Sequence, residues 1–147
     1  MKRITLATFL FLLAGCQNPS SSIKTIQCEQ RYIPDSANLG WEKYEFGNND
    51  RLIFDKDNGQ TFRFDEFREE LYPETFPWKR ESVSVNGKLK IKDFIKQDEY
   101  LFANSLFVLD LKTLKGNYKS VISNNWENNF DIKCKYIKNK TTKIKDS

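Results

Sequence analysis

The chain has 147 residues, with 24 basic and 20 acidic side chains, three cysteines and no histidine. The missing histidine excludes Ser-His and Cys-His catalytic pairs and histidine-ligated metal centres, and no Gly-rich phosphate loop precedes a helix. Aromatic residues form 14% of the chain, enough large apolar groups to exclude a wholly disordered polypeptide.

Met1-Lys2-Arg3 gives a positive start, and Ile4 to Leu13 is an apolar run interrupted only by Thr5 and Thr8. Roughly ten residues is half of what a membrane span needs and matches the core of a signal peptide. The run ends in Leu13-Ala14-Gly15-Cys16, an aliphatic residue, two small residues and a cysteine. This stretch resembles the bacterial lipobox. The resemblance implies that the thiol of Cys16 receives a diacylglycerol, that residues 1–15 are removed as a lipoprotein signal peptide, and that the new amino group is acylated. Two or more acyl chains hold a protein stably at a membrane, where one does not. Gln17 stands where an Asp commonly retains such proteins in the inner membrane, so the resemblance points to the cell envelope and the periplasmic face of the outer membrane. Removal of residues 1–15 takes away Lys2 and Arg3 and no acid, so the pI of about 8.9 overstates how basic the working chain is.

With Cys16 lipidated, Cys28 and Cys134 form an even pair in an oxidising compartment, and a disulfide is expected between them. Two buried thiols, or half of a carboxylate-completed metal site, are the alternative readings of the same pair.

Residues 16–23 form a polar tether, and residues 24–137 read as one antiparallel β domain. Lys24 to Tyr32 is the first predicted strand, with Ile26, Cys28 and Gln30 on one face. Pro34 to Asp50 reads as loop, with Trp41, Tyr44 and Phe46 packing onto the core. Residues 51–64 suggest a hairpin. A three-residue loop Asp57-Asn58-Gly59 with Gly59 left-handed would pair Phe54 with Phe62 and Leu52 with Phe64, all on one face. Residues 82–91 repeat the device, with Val85-Asn86-Gly87 as loop and Val83 facing Leu89. Asp65 to Leu71 suggests a short helix capped by Asp65, with Phe67 and Leu71 one turn apart and Pro73 stopping it. Tyr72 to Trp78 reads as loop, Glu99 to Asp110 as a central strand, Asn117 to Ser123 as its return, Ser123 to Asn129 as a polar loop and Phe130 to Ile137 as the last strand. Residues 138–147 look like a basic flexible tail. The fold class is mainly β, a single antiparallel sandwich or small barrel with at most one short helix.

Asp55-Lys56-Asp57-Asn58-Gly59 fails the calcium-loop spacing and reads as a turn. Asp65, Glu66, Glu69 and Glu70 read as a solvated acidic face. Lys133 and Lys135 alternate with Ile132, Cys134 and Tyr136, as on the solvent side of an edge strand that lysines protect from aggregation. The other reading of these lysines is contact with anionic head groups or an acidic polymer. Trp41, Trp78 and Trp126 all fall in predicted loops and form the one ligand-site hypothesis. No catalytic residue, metal site or cofactor is nominated, and nucleic acid is not an expected partner.

The expectation is a lipid-anchored envelope protein that acts as a non-enzymatic binding or structural module with an envelope protein or glycan partner. The small lipoprotein lysozyme inhibitors are similar in size, anchor and β build, which raises a second possibility, inhibition of an envelope-degrading enzyme. A projecting rigid loop would favour the inhibitor. Two convergent buried carboxylates in a cleft would favour a small hydrolase.

Overall fold

The computed structural model describes residues 22–35, 40–47, 49–74, 79–97, 101–122 and 126–145. Ten strands form one antiparallel sheet: β1 (Ile23–Tyr32), β2 (Glu42–Lys43), β3 (Leu52–Asp55), β4 (Thr61–Asp65), β5 (Glu70–Pro73), β6 (Lys79–Val85), β7 (Lys88–Gln97), β8 (Leu101–Asp110), β9 (Lys115–Ile122) and β10 (Trp126–Ile137). The sheet order is β5-β4-β3-β1-β10-β9-β8-β7-β6, and β2 pairs with the far end of β1. No α-helix occurs among the described residues.

The sheet curls without closing. Its concave face buries Ile26, Leu52, Phe54, Leu89, Ile91, Phe107, Leu109 and Ile132. Tyr44 and Phe46, from the segment after β2, fold into this core as expected. The Tyr44 amide donates to the Cys28 carbonyl at 3.0 Å, and the Tyr44 ring stacks on Phe107 at 5.5 Å. At one end the β6 edge touches the β3–β4 turn, because the Ser84 amide and hydroxyl on β6 donate to the carbonyls of Asn58 and Lys56, at 3.1 and 2.6 Å. Gly59 packs there so closely that a Cβ would lie 2.4 Å from the Val83 carbonyl carbon.

Three hairpins share one turn. In each an aspartate (Asp55, Asp65 or Asp110) ends a strand and its Oδ1 accepts the amide two residues on. Its carbonyl accepts the amide four residues on, from Gly59, Glu69 or Leu114. Each of those residues is left-handed, with φ of 85°, 53° and 57°. The loop therefore has four residues, and this shifts the expected register of the first hairpin. Phe54 pairs with Thr61, and Ile53 pairs with Phe62. The three-residue expectation assumed that only one face of β3 and β4 is buried, but both are. Phe54 enters the concave core, while Ile23, Phe62 and Leu71, with Ile53 and Phe64, make a second cluster.

The same turn replaces the expected helix. Asp65 does cap, accepting the amides of Phe67 and Arg68 at 2.9 and 3.1 Å. The left-handed Glu69 stops the chain after one turn, and β5 takes Leu71 into the second cluster. Phe67 is left fully exposed. The 82–91 hairpin also differs: Asn86 and Gly87, at φ of 54° and 73°, make a two-residue turn that pairs Ser84 with Leu89. Val83 and Val85 consequently face outwards. Residues 126–129 continue β10 rather than forming a loop.

The basic C-terminal region does not hang free over its described residues. Leu71 and Lys145 exchange backbone bonds with residues 143 and 71 at 2.7 and 2.9 Å, so the chain end covers the outer edge of β5. Asn139 donates to the Ile23 carbonyl and accepts from the Thr25 hydroxyl. Lys143 reaches Glu70 at 3.0 Å and Lys140 reaches Glu66 at 3.8 Å. The acidic face is in part the dock for the basic tail.

Candidate functional site

Alternation along the strands puts one polar row on the concave face. Arg80 of β6 lies opposite Asp93 of β7, Asp93 opposite Ser105 of β8, Ser105 opposite Ser120 of β9, and Ser120 opposite Asn128 of β10. The adjacent row, Ile91, Phe107, Tyr118 and Phe130, is almost wholly apolar. Arg80 Nε and Nη2 donate to the two oxygens of Asp93 at 2.6 and 2.8 Å, a bidentate pair, and Nη1 donates to Glu74 Oε2 at 3.2 Å. The side chains are buried, at 7% exposure for Arg80, 8% for Glu74 and 15% for Asp93. The guanidinium thus ties β7 and the segment after β5 to β6, across the open seam of the sheet.

Burial raises the carboxyl of Glu74 above its ordinary range, against the opposing pull of Arg80 and a hydrogen bond with Thr61. Burial likewise raises the phenol of Tyr44, helped by neighbouring Tyr118 and Asp93, and that of Tyr118, which is hydrogen-bonded to Ser105 and Ser120. Both phenols therefore stay protonated at neutral pH. The two phenols border a cavity of about 270 Å³, lined also by Phe46, Arg80, Asp93 and Ser105.

Two buried carboxylates therefore do converge, but on a guanidinium rather than on open space. Both oxygens of Asp93 are engaged by Arg80, so the pair is poorly placed to take or give a proton at a substrate. Among the described residues no group of three or more Cys, Asp or Glu side chains is arranged to hold a metal ion. The arrangement suits a rigid wall with hydrogen-bonding groups.

The other residues singled out from the sequence lie elsewhere. Cys28 and Cys134 are bonded, directly opposite each other on β1 and β10 with Cα atoms 4.0 Å apart. Trp41 does not join the core. Its ring lies on the other face of the sheet, 4.6 Å from the Arg31 guanidinium carbon and 4.2 Å from Lys133 Nζ. Trp126 begins β10 opposite Ile122, but its side chain, like the whole of Trp78 and Cys16, lies outside the described residues.

The buried cluster was missed because charged residues were read as solvated. The signal was nevertheless present: Asp93 keeps the two-residue phase of Leu89 and Ile91, which marks a carboxylate facing inwards. Comparison with known protein families, curated proteins and solved structures gave no match.

Proposed function

We propose that the chain is a cell-envelope lipoprotein, held through a lipid on Cys16 at the periplasmic face of the outer membrane, whose β domain is a non-enzymatic binding module. The observation that carries this reading is the Cys28–Cys134 bond. A disulfide belongs to an oxidising compartment, and it leaves Cys16, at the end of the lipobox-like stretch, as the remaining cysteine. Metabolic labelling with a clickable palmitate analogue tests it. The native chain takes up label and sediments with membranes, and Cys16→Ser does neither. An unmodified leader found by mass spectrometry, or unchanged membrane attachment of Cys16→Ser, refutes the anchor.

One observation favours a second reading, inhibition of an envelope-degrading enzyme. Phe67 is 101% exposed at the tip of a turn fixed by Asp65. An aromatic ring presented on a rigid turn is a ready anchor for an apolar pocket on a partner. Under this reading the full chain inhibits lysozyme on cell-wall substrate and Phe67→Ala abolishes the effect. Equal lysozyme rates with and without the native chain dismiss it for that enzyme.

A further inference from the structure

The lysines of β10 need an explanation other than edge protection. β10 lies between β1 and β9, deep within the sheet order, so it has no open edge to guard. On the outer face Lys115 of β9 stands directly opposite Lys133, Lys133 opposite Glu29 of β1, and Glu29 opposite Lys43 of β2. Lys135 follows two residues along β10, on the same face. Opposed side chains in such a ladder start about 4.5–5.5 Å apart at Cβ, and like charges placed so are destabilising.

These four lysines line a groove of about 540 Å³, bordered by Glu29 and Asp50. Both acids are already engaged, Glu29 with Lys133 at 3.2 Å and Asp50 with Lys43 at 3.8 Å. Neither Lys115 nor Lys135 makes an ion pair among the described residues. The groove therefore carries more ammonium than carboxylate, and its surplus charge comes from compact point donors rather than from a planar fork. Point charges select by charge rather than by shape, and several ammonium groups together favour a phosphate dianion over a singly charged carboxylate. The volume falls in the range of small-ligand sites.

We propose that this groove binds a phosphate-bearing anion, through Lys115 and Lys135 with Lys133 and Lys43 beside them. Free phosphate compounds and anionic lipid head groups share this chemistry. The inference is independent of the lipid anchor, because a free anion reaches the groove whether or not Cys16 is acylated. Trp41 reports occupancy, since its ring touches Lys133 and an anion that draws Lys133 away alters its fluorescence.

The test titrates the full chain in neutral detergent micelles with inorganic pyrophosphate, and separately with micelles containing phosphatidylglycerol. The expected result is a saturable change in tryptophan fluorescence that is lost in Trp41→Phe. It should need at least about ten times more ligand in Lys115→Gln/Lys135→Gln, and be unchanged in Lys90→Gln/Lys92→Gln. Circular dichroism confirms that the variants fold. A response to pyrophosphate assigns the site to free phosphate compounds, and a response to phosphatidylglycerol alone assigns it to head groups. No response to either probe overturns the proposal, as does one that survives intact in Lys115→Gln/Lys135→Gln or in Trp41→Phe.

Discussion

Replacing Arg80 by Met removes the cation at the centre of the buried cluster while keeping a side chain of similar length. The hydrogen bonds to both oxygens of Asp93 and to Glu74 are among those that disappear. Asp93 and Glu74 remain largely out of water without the cation that balanced them, and Glu74 keeps its hydrogen bond with Thr61. Each orphaned carboxylate carries a desolvation penalty of about 1–3 kcal/mol, and broken buried pairs lose about 3–5 kcal/mol in all. Domains of this kind have about 5–15 kcal/mol to lose, so the change takes a large share. Urea unfolding of the oxidised protein, followed by circular dichroism at pH 7, measures it. The deficit also has a sign with pH. Burial already raises the Glu74 carboxyl and Arg80 opposes that rise, so without Arg80 the folded form holds the Glu74 proton to still higher pH than the unfolded chain does, and stability falls as pH rises through that interval. The deficit should therefore shrink on acidification towards about pH 4–5. Adding Asp93→Leu should recover part of the loss at neutral pH, because an apolar replacement of a buried pair is often tolerated. A loss below about 1 kcal/mol for Arg80→Met at pH 7 would refute the account of the cluster as a buried, coupled unit.

Gly59→Ala should destabilise by about 1–3 kcal/mol, from the left-handed backbone and the missing space against Val83, and a melting temperature equal to the native one would contradict that packing. Glu69→Gly should act in the opposite direction, raising stability by up to about 1 kcal/mol in urea titration, since the exposed Glu69 pays for its left-handed φ and glycine does not. Replacing Cys28 and Cys134 together by alanine should lower stability by about 2–5 kcal/mol, read from the urea midpoint of the double variant against the native chain.

The alternation of apolar residues made the β class, the first strand and a strand over 101–110 readable, although that strand is third from the β6 edge and β10 holds the middle of the order; the cysteine count made the disulfide readable. What failed was local turn geometry and the number of buried faces. Asp55-x-x-x-Gly59 and Asp65-x-x-x-Glu69 look unlike each other in sequence, yet the same carboxylate-to-amide bond shapes both. A non-glycine residue in the left-handed position gives no warning of where a hairpin reverses. Phe62 and Phe64 could not be assigned to faces without knowing that residues 138–145 return to β5. The groove lysines were misread because strand order, which decides whether β10 is an edge, rests on contacts between residues far apart in the chain.

The position of β1 sets the order of assembly. It lies between β3 and β10, and eight of its ten residues find partners on β10. While the chain is being made, one side of β1 stays bare until the last strand has emerged. The domain can therefore complete itself only after the residues of β10, through Ile137, have been delivered. A chain stopped short of residue 126 would present that unmatched side to whatever strand it met first.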